Sequence, residues 1–129
     1  RMEDRFIAAT DREPEVALHF SKRYISLKGE AYPEDAAAFW GPIINALKNY
    51  LTLDAHAGLT LDIELLYFNS SSAKALMNIL NAMDEAAQQG GDFCINWYCQ
   101  EEDETMQEFG EEFSESLQYA TFKIETLTI

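Results

Sequence analysis

The feature that most limits the fold is a change of hydrophobic period at residue 69. In the run LTLDIELLYF, Leu59, Leu61, Ile63, Leu65 and Tyr67 share one parity, the period of a strand with a buried face. Leu66 and Phe68 make its far end apolar on both parities, which predicts a central strand covered on both faces. From Ser70 to Gln88 the apolar positions Leu76, Leu80, Met83 and Ala87 recur at helical spacing, and Gly90-Gly91 follow. Glycine at that place ends helices, because it tolerates a left-handed backbone. A strand that runs straight into a helix needs a crossover back to the sheet.

The same alternation recurs on either side. Phe6–Ala9 is a short apolar run; EVALHF (Glu15–Phe20) and YISLKG (Tyr24–Gly29) are strand-like, with Ser21-Lys22-Arg23 as a hairpin turn between them. GEAYPE then breaks the pattern, and Pro33 suits a turn or helix start. Phe39, Ile43, Leu47 and Leu51 predict a helix over Glu34–Leu51, followed by the connection TLDAHAG. DFCINWYC is the next strand, with Phe93, Ile95 and Trp97 on one face. A long helix carrying Met106, Phe109, Phe113 and Leu117 precedes the closing strand TFKIETLTI. A hairpin followed by strands alternating with helices implies one α/β domain over residues 1–129. Its sheet is mixed, with about three helices packed on it.

Charge narrows the function. The 129 residues hold 9 basic and 23 acidic side chains, a net charge of -14. Phosphate backbones and anionic membranes repel such a surface, so neither nucleic acid nor a membrane is an expected partner. No apolar run is long enough to cross a bilayer and no signal-peptide pattern is visible, so the expected location is the cytoplasm. The acidic run EEDETMQEFGEEFSE reads as a solvated helix face or as a docking face for a basic partner. Cys94 and Cys99 lie five apart in a strand and so point to opposite faces; they predict reduced packing residues, not a disulfide or a zinc site.

Enzyme motifs are sparse. The chain lacks a Gly-rich phosphate loop, a His-Glu-x-x-His zinc motif and a Gly-x-Ser-x-Gly elbow. His19 sits among apolar neighbours in a strand and His56 in a connection, where histidine is usually structural or exposed. The acidic run lacks calcium-loop spacing. No cofactor, metal or catalytic residue is expected. The alternative readings are a small acidic metal-binding protein or enzyme using the Glu101–Glu115 carboxylates, or a purely structural interaction domain.

The junction Asn69-Ser70-Ser71-Ser72, with Lys74 beyond it, is the exception. A helix N-terminus offers unpaired N–H groups and partial positive charge, and Asn or Ser there reads first as a cap. Yet no Asp or Glu occurs from Asn69 to Met83, although acids favour a first helical turn. A phosphate added at Ser70 meets donors and a lysine rather than carboxylates.

GEAYPE before a helix with Phe39-Trp40, then LLYFNSSSAK, INWYC and the acidic run ending EFGEEF together resemble the SiaC family of bacterial regulatory phosphoproteins. The likeness spans nearly the whole chain. It implies a single STAS-like domain, similar to anti-sigma-factor antagonists, and a partner switch rather than an enzyme. It implies phosphorylation at the start of the helix after the central strand. That position is commonly threonine in the family and is Ser70 here; serine takes the same phosphate. The expected partners are a cognate Ser/Thr kinase, a PP2C-type phosphatase and an effector such as a diguanylate cyclase, bound and activated by the unphosphorylated form. Asn69, Ser71, Ser72 and Lys74, with Tyr32 and Glu34 from GEAYPE, are the expected partner-binding residues. Two family positions differ: Ala31 stands where a serine is usual, and Cys99 where an aromatic is usual.

Overall fold

A computed structural model of the chain describes residues 3–53 and 56–127. Six strands form one sheet in the order of the chain, β1 (Arg5–Ile7), β2 (Glu15–His19), β3 (Tyr24–Ala31), β4 (Leu59–Phe68), β5 (Phe93–Gln100) and β6 (Thr121–Leu127). The helices are α1 (Ala36–Leu53), α2 (Ser70–Gln88) and α3 (Glu104–Glu115). β1, β2 and β3 pair antiparallel, and β3 through β6 pair parallel. This is the mixed α/β sheet with an N-terminal hairpin and three helices that the period changes imply. Thr128 and Ile129, the end of the expected closing strand, lie outside the described residues, as do Asp54 and Ala55 of the connection.

Sequential strand order and right-handed crossovers put every helix on the same side of the sheet. Burial follows that rule. Leu59, Leu61, Ile63 and Leu65 of β4 and Phe93, Ile95, Trp97 and Cys99 of β5 lie in the core. Their alternates Thr60, Asp62, Glu64, Cys94, Asn96 and Tyr98 are only half-buried on the open face. The two cysteines thus occupy opposite faces and are both free.

This corrects the expectation that the end of β4 is covered on both faces. Gly29 pairs with Leu65, but Glu30 pairs with Tyr67, so Leu66 is an extra residue in β4. Such a bulge reverses the parity beyond it. Tyr67 is therefore 50% exposed and Leu66 57% exposed, while Phe68 turns into the core at 7%. On β3 the irregularity falls at Gly29, whose φ of 114° is a conformation suited to glycine.

Phe68 joins Trp97, Phe109 and Phe113 in an aromatic cluster under α3. The Trp97 indole donates to the Met106 carbonyl at 3.0 Å. Gly110 lets α3 lie on that ring: a Cβ there would stand 2.7 Å from Trp97 Cδ1. α3 ends at Glu115, so Leu117 of its expected apolar stripe lies beyond the helix. Asp84 of α2 ties down the next loop by accepting from the N–H groups of Gln118, Tyr119 and Ala120.

Candidate functional site

The site forms where β3 and β4 end and the helices begin. The Asn69 N–H donates to the Ala31 carbonyl at 3.1 Å, which joins the end of β3 to the start of α2. Asn69 has an extended backbone, and its side chain accepts from the Ser72 N–H at 3.0 Å. The N-cap is therefore Asn69. Ser70 is the first helical residue, and its hydroxyl is not needed to cap the helix.

The three serines have different surroundings. Ser70 and Ser71 are exposed, whereas Ser72 is fully buried. The Trp40 indole N–H, itself buried in α1, donates to Ser72 Oγ at 3.0 Å. Ser72, grouped on sequence with the partner-binding residues, thus faces inward and joins α1 to α2. Lys74 is exposed one turn beyond Ser70, at the spacing where helical side chains meet. The first turn of α2 holds no acid.

Tyr32 follows Ala31 and so reaches the same corner. It is half-buried, edge-on to Tyr67 with ring centroids 5.6 Å apart, and the Arg12 guanidinium lies 5.4 Å from its ring centre. Glu34 is exposed at the entry to α1, where Asp35 accepts from the Ala38 N–H at 3.0 Å. The structure therefore gathers Asn69, Ser70, Ser71, Lys74 and Tyr32 at one end of the domain. Sequence reasoning missed Trp40 as the partner of Ser72, which lies 32 residues away. It also missed Leu66 and Tyr67, exposed by a bulge that no local pattern announces.

Elsewhere the polar side chains are satisfied within the fold. On the open face Tyr24 Oη donates to Asp62 at 2.6 Å and Asn96 Nδ2 donates to the same carboxylate at 2.9 Å. Burial, and then the Asp62 carboxylate, push the Tyr24 phenol up to about 12. Burial raises the Asp84 carboxyl, but its three backbone N–H donors outweigh that and hold it below its ordinary value. In the acidic run, Asp103 caps α3 by accepting from the Met106 N–H at 3.0 Å. Glu104, Glu108, Glu111 and Glu112 are exposed. Among the described residues no three His, Cys, Asp or Glu side chains converge in a way that could hold a metal ion. Nor is any described helix long and apolar enough to cross a membrane.

A sequential α/β sheet with all helices on one face, displaying an exposed and acid-free serine turn, is the build of a small regulatory domain. The chain belongs to the SiaC family: residues 7–127 match the family described as SiaC family regulatory phosphoprotein. It is 33% identical over 118 residues to an uncharacterised protein of Pseudomonas aeruginosa strain UCBPP-PA14, covering 92% of this chain and 93% of that one. It superposes on SiaC of Pseudomonas aeruginosa with a TM-score of 0.89 at 32% identity, over 98% of this chain and 100% of the other. It also superposes on a chain in the crystal structure of the diguanylate cyclase SiaD in complex with its activator SiaC. There the TM-score is 0.91 at 31% identity, over 96% of this chain and 100% of that chain.

Proposed function

We propose that residues 1–129 act as one non-enzymatic regulatory domain in the cytoplasm, switched by reversible phosphorylation of Ser70. The unmodified form binds and activates a diguanylate cyclase and so raises cyclic di-GMP. A cognate Ser/Thr kinase adds the phosphate and a PP2C-type phosphatase removes it. Asn69, Ser71, Lys74, Tyr32 and Glu34 surround the contact, and Ser72 supports it from inside through Trp40.

The observation that carries this reading is the sorting of the serines. Ser70 is exposed, lies outside the capping arrangement and starts a helix whose first turn holds no acid. A phosphate there meets free N–H groups and Lys74, and it adds about -1.5 to -2 charges at pH 7 without forcing the fold to move. Family membership supports the modification. The relative solved with SiaD, in which SiaC is the activator, supports the effector class. Peptide mapping after reaction with the cognate kinase tests the site. Phosphate is expected on Ser70; phosphate on Ser71 or Ser72 with none on Ser70 would overturn the assignment.

A further inference from the structure

The sheet ends on a strand with an open edge. Among the described residues β6 pairs with β5 along its whole length in one unbroken register, and its other side meets no strand. A row of unpaired N–H and C=O groups is a template for another strand, and native edges are usually blunted by shortness, proline or a bulge. β1, at the opposite edge, is three residues long. β6 has seven, without proline or bulge. Its open-face residues Thr121, Lys123 and Glu125 are exposed, and Phe122 and Ile124 on the helix face are only half-buried.

We propose that β6 pairs antiparallel with β6 of a second copy of this chain, about a two-fold axis at Ile124, to make one continuous sheet. The charge pattern selects both that occupant and that register. Centring on Ile124 sets Lys123 opposite Glu125 of the second copy, and Glu125 opposite Lys123. Centring on Lys123 or Glu125 instead sets that residue against itself, and like charges directly opposite are destabilising. Centring between two residues opposes the open face of one copy to the helix face of the other. In the register at Ile124 that side chain meets its own copy, and Phe122 meets Thr126, so the half-buried apolar row continues across the joint. Residues of one parity face each other throughout, so whichever set turns its backbone groups outward meets the same set. Lys123 is the one basic residue after Lys74, so in the second half of the chain only this edge can alternate unlike charges. The net charge of -14 opposes association. At about 0.15 M salt, however, the Debye length is about 8 Å, whereas facing residues stand about 5 Å apart, so distant charges are screened and the paired ones decide. β6 lies two strands from β4, which leads into Ser70, so the contact is independent of the switch proposed above.

Sedimentation equilibrium of the whole chain, at that salt and rising concentration, tests the pairing. The mass is expected to climb from 14.7 kDa toward twice that value. Lys123→Glu and Glu125→Lys, both at exposed positions, should each raise the dissociation constant at least tenfold. The double variant carrying both exchanges restores unlike pairs and should return to within threefold of wild type. Mixing the two single variants should give a mixed dimer at least tenfold tighter than either forms alone. Circular dichroism checks that each variant is folded. A wild type that stays at 14.7 kDa up to millimolar concentration overturns the proposal. So does a dimer that Lys123→Glu leaves within twofold, which would place the contact on another surface, or a double variant no tighter than the single ones.

Discussion

Replacing Ser72 by alanine removes the hydroxyl that accepts from the Trp40 indole N–H at 3.0 Å. The site cannot relax cheaply. Ser72 is 0% and Trp40 2% exposed, so water does not reach the orphaned donor. An unpaired buried donor costs about 1–3 kcal/mol, more than the net worth of the bond itself. Unfolding entropy for a chain of this size is about 0.27 kcal/mol/K, so the melting temperature should fall by about 4–11 °C. Ser71→Ala, one residue away but exposed, should stay within about 2 °C. Thermal melts followed by far-UV circular dichroism measure the drop. Near-UV tryptophan signal reports whether Trp40 has moved. A Ser72→Ala melt within 2 °C of wild type would refute the claim that this hydrogen bond holds α1 to α2.

Asn69→Ala should cost about 0.5–2 kcal/mol in urea unfolding, and Ser70→Ala less than about 0.5 kcal/mol; the reverse order would move the cap to Ser70. Gly110→Ala should cost about 1–3 kcal/mol, because its Cβ would meet the buried Trp97 ring; unchanged stability in the same assay would contradict the packing of α3. In alkali the Tyr24 phenol, raised from 10.0 to about 12, should lend stability that is complete below pH 10 and lost as pH rises through 12. Ultraviolet titration of wild type against Tyr24→Phe should isolate that late ionisation, and its absence would contradict the Asp62 contact. In acid the Asp84 carboxyl is held below its ordinary value, so its contribution is present above about pH 4 and lost as pH falls. Stability of Asp84→Asn should accordingly vary less with acid pH than that of wild type.

The architecture could be read from the sequence because each element carries its own period. Leu59 to Leu65 alternate, Leu76 to Met83 recur at helical spacing, and the switch at Asn69 falls on the N-cap, one residue before α2 begins. Sequential order with right-handed crossovers then leaves little choice of topology. The bulge at Leu66 could not be read, because it depends on how β4 registers against Gly29 and Glu30 on another strand. Without it Tyr67 belongs to the core parity; with it Tyr67 is exposed beside the site. The cap was ambiguous for a related reason. Asn69, Ser70, Ser71 and Ser72 all suit a helix start, and only the turn itself shows that Asn69 caps, Ser70 stays exposed and Ser72 turns inward. Trp40 left no local trace of its role, since its partner is set by the packing of two helices rather than by neighbours in the chain.

In the proposed switch the charge state of Ser70 decides whether the domain activates a diguanylate cyclase. The most direct measurement is the rate of cyclic di-GMP formation by purified SiaD of Pseudomonas aeruginosa. The chain is added either unmodified or with phosphoserine installed at position 70 during synthesis, which removes any dependence on the kinase. A concentration-dependent rise in cyclase activity is expected with the unmodified chain and little or none with the phosphorylated one, both being equally folded by circular dichroism. Equal activation by the two forms would contradict it.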